Sequence, residues 1–126
     1  YQSGQDLWIM STMVNDSSVA ILMYYTPLSV IVYINNGTSA ITLSTPFTIN
    51  QRNKVAISYK SGDYALALNG VIADTSSSTL VPPTGMNKVA FVRWVGNQNQ
   101  QLQSVSESLI FKTRLSNQEM IDLTTI

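Results

Sequence analysis

The sequence predicts an all-β chain: an antiparallel sandwich of about ten strands with a short helix at its C-terminus. Helical periodicity is nearly absent before residue 115, and short runs rich in β-branched and aromatic residues take its place. Clusters of Gly, Asn, Ser and Pro separate those runs at the spacing of an antiparallel meander. Two glycine turns, Ser61-Gly62 and Asn69-Gly70, divide the stretch YKSGDYALALNGVIADT into three strands.

The elements follow in order. LWIMSTMV (7–14) is the first predicted strand and stops at Asn15-Asp16-Ser17-Ser18. VAILMYY (19–25) is halted by Thr26-Pro27, and SVIVYI (29–34) by Asn35-Asn36-Gly37. SAITLST (39–45) ends at Pro46, and Pro46, Pro82 and Pro83 are assigned to loops because proline cannot donate to a central ladder. In KVAISYK (54–60), Val55, Ile57 and Tyr59 share one face, since successive side chains on a strand alternate. YALAL (64–68) returns with Tyr64, Leu66 and Leu68 on one face. The Asn69-Gly70 turn, which suits positive φ at both positions, then sends out VIADT (71–75). The turns set the register of these three strands, so Asn69 reads as scaffold rather than as a glycan or metal contact.

SSSTLVPPTG (76–85) is a loop, KVAFVRWV (88–95) a strand, and GNQNQQLQ (96–103) a loop rich in amides. VSESLIFK (105–112) alternates as a last strand, with Val105, Glu107, Leu109 and Phe111 on one face. Ser116 and Glu119 have the spacing of a capping box, and Leu115 and Met120 that of a hydrophobic staple, so a two-turn helix follows.

Composition removes several functions. Charged residues are 11% of the chain, against about 25% in an average protein. Ser, Thr, Asn and Gln fill more than a third of the chain instead, a surface common on extracellular β-proteins, virion proteins and glycan binders. Net charge is zero and no basic run exists, so neither nucleic acid nor an acidic membrane surface is an expected partner. The longest apolar run, VAILMYY, is far shorter than the roughly 20 residues of a membrane-crossing helix. With no Cys and no His, thiolate metal sites and the usual hydrolase triads are excluded. The chain begins with Tyr rather than Met, and it is expected to be a single domain, 1–126, taken from a longer polypeptide.

The order KVAISYKSGDYALALNGV, NKVAFVRWVG, SESLIFKTRLSNQEMIDLTT resembles the concanavalin A-like (laminin-G-like) jelly-roll domain of bacteriophage tail fibres and related virion proteins. The likeness is strongest over 54–75 and 105–125, weaker over 86–96 and loose before 50. It implies a concanavalin A-like sandwich located on a virion, outside the cell, whose partners are a host-surface glycan and neighbouring virion segments or protomers, as in a homotrimeric fibre. The family begins with a strand ahead of the segment matching 7–14. The resemblance therefore implies that this chain lacks that strand, so either the sandwich is expected to be cut short at the N-terminus or its open edge to be covered by another segment or protomer.

Glycan recognition needs an aromatic face for the apolar side of a sugar ring, with amides and hydroxyls around it. Arg93, Trp94, Asn97, Gln98 and Asn99 supply that kit at a strand end and loop, and Tyr24 and Tyr33 a second aromatic patch. The plain alternative is that these aromatics are core. Enzymatic relatives of the fold hydrolyse glycosides with two carboxyl groups, about 5–5.5 or 6.5–9.5 Å apart. No E-x-D or E-x-E pair occurs, and Glu107 stands between serines, so no catalytic residue is assigned and the chain is expected not to be an enzyme. No cofactor is expected. Asn15, Asp16 and Asp74 have calcium-ligand chemistry, yet their setting is that of turns. The leading expectation is a non-enzymatic glycan-binding, receptor-recognition module of a tail fibre or spike. The alternatives are a module that caps, trimerises or decorates a virion component, and a subdomain of a glycan depolymerase.

Overall fold

The structure, a computed structural model, describes residues 7–15, 18–48, 51–91 and 105–126. Its strands are β1 (Leu7–Met13), β2 (Ala20–Tyr25), β3 (Ser29–Asn35), β4 (Ala40–Pro46), β5 (Val55–Lys60), β6 (Asp63–Leu68), β7 (Val71–Ser76) and β8 (Lys88–Ala90), and one helix follows, α1 (Asn117–Thr124). They form a five-stranded sheet in the order β4-β3-β2-β1-β8 and a three-stranded sheet in the order β5-β6-β7, antiparallel throughout.

Alternation places the core between the sheets. Ile21, Met23, Val32, Ile34 and Leu43 face inward from the larger sheet, and Tyr64 and Leu66 meet them from the smaller. Val55, Ile57 and Tyr59 pack against this cluster, on the face that the sequence assigns them. A bulge between Trp8 and Met10 brings Ile9 against the same cluster. Asn69 and Gly70 both have positive φ, as the two-residue turn requires. The Asn69 side chain accepts from Lys54 N–H at 2.8 Å and donates to Asn53 Oδ1 at 2.9 Å, so its polar atoms are committed to the scaffold.

The link from β7 to β8 crosses between the sheets. Leu80 is buried in the core, and the Tyr64 hydroxyl donates to its carbonyl at 2.6 Å. Tyr64→Phe removes the donor of a buried carbonyl and is expected to cost about 1–3 kcal/mol in neutral urea melts. Burial also raises the Tyr64 pKa above its usual 10.0. That contribution is therefore complete below about pH 10 and is lost as pH rises toward the folded-state value. Alkaline destabilisation of the wild type should thus exceed that of Tyr64→Phe. An identical alkaline limb in both would show that Tyr64 ionisation is not limiting.

Helix α1 lies on the outer face of the three-stranded sheet, where Met120 packs with Ala65 and Ala67, and Leu115 and Ile72 flank them. The capping box forms: Glu119 N–H donates to Ser116 Oγ at 3.2 Å, and Ser116 N–H donates to Glu119 Oε2 at 2.7 Å. The far end of the helix is fastened to the β6–β7 turn by Gly70 N–H donating to Thr124 Oγ1. Thr125 lies 3.0 Å from the place a Cβ on residue 70 would occupy, a second reason for glycine there. The Ser116 hydroxyl, then its backbone N–H, holds Glu119 below the usual carboxylate pKa. That stabilisation is present above pH 4.5 and disappears as acid protonates the folded-state carboxylate. Ser116→Ala should cost about 1 kcal/mol at neutral pH and flatten the acid limb of a stability-versus-pH curve.

Several expectations need correction. Eight strands occur among the described residues, not about ten. Residues 105–112 are in no ladder and Val105, Leu109, Ile110 and Phe111 are exposed: alternation supplies one face of a strand but no hydrogen-bonding neighbour. The strand expected over 88–95 is paired only over Lys88–Ala90, and 92–95 lie outside the described residues. Pro46 closes β4 rather than standing in a loop, which an edge strand tolerates because its outer side needs no donor.

Candidate functional site

The outward face of the five-stranded sheet carries a patch that the core does not explain. Register defines its rows. One runs Thr42, Tyr33, Leu22, Ser11, Ala90 across β4, β3, β2, β1 and β8. A second runs Ala40, Asn35, Ala20, Met13, Lys88, and a third Ser44, Ile31, Tyr24. Met13, Ala20 and Leu22 form a buried floor, and half-buried Tyr24, Tyr33 and Ala90 pack on it.

Tyr24 and Tyr33 lie diagonally across the β2–β3 pair, within reach of one ligand. The Tyr33 hydroxyl accepts from Asn35 Nδ2 at 3.4 Å, while Asn35 Oδ1 accepts from Gly37 N–H at 2.7 Å and so orients the amide. Exposed Thr42 and Ser44 add hydroxyls beside the rings. The Ser44 N–H donates to Asp74 Oδ2 at 2.8 Å, which closes the β4 edge against β7. Among the described residues of this face, Lys88 is the single charged side chain and no carboxylate is present.

Among the described residues, four carboxylates elsewhere have structural partners. Asp63 pairs with Arg114 at 2.6 Å, Asp74 holds Ser44 and Thr75 N–H, Glu119 caps α1, and Asp122 accepts from Gln118. Glu107 is exposed. Of the residues with calcium-ligand chemistry, Asn15 exchanges hydrogen bonds with Asn87, Asp74 is engaged as above, and Asp16 lies outside the described residues. No group of three metal-ligating side chains occurs among the described residues.

Of the site residues expected from sequence, Tyr24 and Tyr33 come together on this face. Arg93, Trp94, Asn97, Gln98 and Asn99 lie outside the described residues. Sequence reasoning missed Asn35, Thr42, Ser44 and Lys88. The signal for the first two was present: a hairpin turning at 36–39 pairs Asn35 with Ala40 and hence Tyr33 with Thr42.

No family model matches the chain, and no curated protein matches it. Among solved structures it is similar to the CBM40 module of the Ruminococcus gnavus IT-sialidase bound to α2,3-sialyllactose. The TM-score is 0.69 at 18% identity, over 99% of this chain and 77% of that one. It is also similar, loosely, to an S-layer domain-containing protein from Clostridium thermocellum, with a TM-score of 0.44 at 13% identity over 98% of this chain and 65% of the other. The first likeness establishes the fold: an all-β, concanavalin A-like jelly-roll sandwich with a short C-terminal helix.

Proposed function

We propose that this chain is a non-enzymatic carbohydrate-binding module that takes a glycan on the outer face of its five-stranded sheet. The observation that carries the reading is the placing of Tyr24 and Tyr33 on a common apolar floor, turned away from the core and bordered by Asn35, Thr42 and Ser44. A tyrosine ring suits the C–H face of a sugar, and the bordering amide and hydroxyls suit its OH groups. Strand-borne side chains hold this surface ready before ligand arrives, which lowers the ordering cost of binding. The engagement of Asp63, Asp74, Glu119 and Asp122 elsewhere supports binding rather than hydrolysis. Lys88 at the end of the face supports acceptance of an acidic sugar such as the sialyllactose held by the CBM40 neighbour.

The finer setting is a tail fibre, spike or similar virion protein that recognises a host surface, and the resemblance over 54–75 and 105–125 supports it. There, several copies per fibre would multiply weak single contacts. A glycan array carrying α2,3-sialyllactose and unsialylated lactose tests the binding reading. Retention of at least one glycan is expected. A blank array, with the chain forming a stable trimer in light scattering, would favour the capping or decorating role instead. Cleavage of an arrayed polysaccharide would favour the depolymerase.

A further inference from the structure

On the β3–β4 side of the outer face, a chain of hydrogen bonds has its direction fixed by the backbone. Gly37 N–H donates to Asn35 Oδ1 at 2.7 Å, inside a turn where Asn36 Oδ1 accepts from Thr38 and Ser39 N–H. A backbone N–H can only donate, so the Asn35 oxygen faces the turn and its NH2 group points the other way. That group meets the Tyr33 hydroxyl at 3.4 Å, and the hydroxyl oxygen must be the acceptor, because an amide NH2 only donates. The Tyr33 proton is thereby turned away from Asn35. Within the described residues, neither that proton nor the second N–H of the Asn35 amide has an acceptor. Two donors therefore stand together, two residues apart on one face of β3.

The neighbours of this pair limit what it can receive. Asn35 lies between Ala40 on β4 and Ala20 on β2, so short side chains flank the amide and leave a notch over it. Ala40 is exposed at the open side of that notch, as is Thr42 opposite Tyr33. Lys88, the single charged side chain of this face among the described residues, is three ladder steps from β3, roughly 14 Å away. An ionised ligand group in the notch would lose water without meeting a countercharge.

We infer that this notch is the subsite for the acetamido group of an N-acetylated sugar. The acetamido carbonyl oxygen has two lone pairs, which accept from Tyr33 O–H and Asn35 N–H, and the methyl rests on Ala40. A plain hydroxyl at the same ring position leaves the methyl's place on Ala40 empty and competes poorly for both donors. Asn35 acts twice, as a contact and as the residue that positions the Tyr33 proton. The assignment rests on the glycan-binding reading of this face and names the class of sugar it selects.

Asn35→Asp tests it. The carboxylate still accepts from Gly37 N–H, but it also accepts the Tyr33 proton, so both donors are lost with little change of shape. A glycan array carries matched pairs, N-acetyllactosamine with lactose and chitotriose with cellotriose, and triglucuronate as a carboxylate without an acetamido group. The unmodified chain is expected to favour the acetamido member of a pair by about tenfold, the worth of one or two neutral hydrogen bonds. Asn35→Asp should bring that ratio close to one, whereas a merely structural effect lowers both members together and leaves the ratio as it was. Tyr33→Phe, which keeps the ring and removes one donor, should reduce the ratio part way and decides the matter if Asn35→Asp does not fold. Equal binding within the pairs overturns the inference while leaving glycan binding intact, and so does a ratio that survives the substitutions. Stronger retention of triglucuronate than of chitotriose overturns it in favour of a carboxylate. An array blank for every sugar removes the glycan-binding reading itself, and the subsite with it.

Discussion

Leu66→Ala is expected to lower the unfolding free energy by about 2–5 kcal/mol, a large fraction of the roughly 5–15 kcal/mol that holds a typical domain folded. Leu66 is fully buried at the centre of the smaller sheet, paired with Ile57 and packed in the cluster that includes Val32, Ile34 and Leu43. Its removal leaves a void that two sheets held by their own ladders cannot collapse to fill, so the cavity cost adds to the lost transfer energy. A urea melt checks this. The same truncation at Val71, an exposed residue beside the Asn69-Gly70 turn, should cost far less. Equal losses at the two positions would mean that the sheets are not joined through Leu66.

The double variant Tyr24→Ala, Tyr33→Ala is expected to weaken glycan binding by more than about a hundredfold. A central aromatic anchor is worth about 2 kcal/mol on truncation, and each 1.4 kcal/mol is about tenfold in Kd. Both rings also cover Met13, Ala20 and Leu22, so stability will drop as well, and binding must be measured well below the melting temperature. Tyr33→Phe separates the two effects, because it keeps the ring and removes the hydroxyl that accepts from Asn35. A moderate loss with Tyr33→Phe and a near-complete loss in the double variant would place the sugar over the rings. Unchanged affinity in the double variant would falsify this face as the binding surface.

The smaller sheet was legible in the sequence because its instructions are local. Two glycine turns set the register, and Val55, Ile57, Tyr59, Tyr64 and Leu66 then fall on the interior by alternation alone. The helix was legible for the same reason, since Ser116, Glu119, Leu115 and Met120 lie within one turn of its start. Residues 105–112 show the limit of such reading: an alternating pattern states which side chains share a face, but a ladder depends on a partner distant in sequence. At β1, the bulge that brings Ile9 inward changes the parity of the strand and leaves no sign in LWIMSTM. Half of the aromatic patch was legible, because Tyr24 and Tyr33 could be named while their common face could not. That face exists only once β2 and β3 are paired with Leu22 opposite Tyr33.

The carboxylate of Asp74 on the Ser44 N–H has a further effect on how molecules of this chain meet one another. A side chain, not a strand, blocks that rim, and Pro46 at the end of β4 withholds another donor from it. Ribbon growth by backbone zippering between neighbours is therefore obstructed on one side, whatever the crowding. Among the described residues, self-templating contact is therefore expected to start on the opposite flank, where β8 and β5 end their sheets.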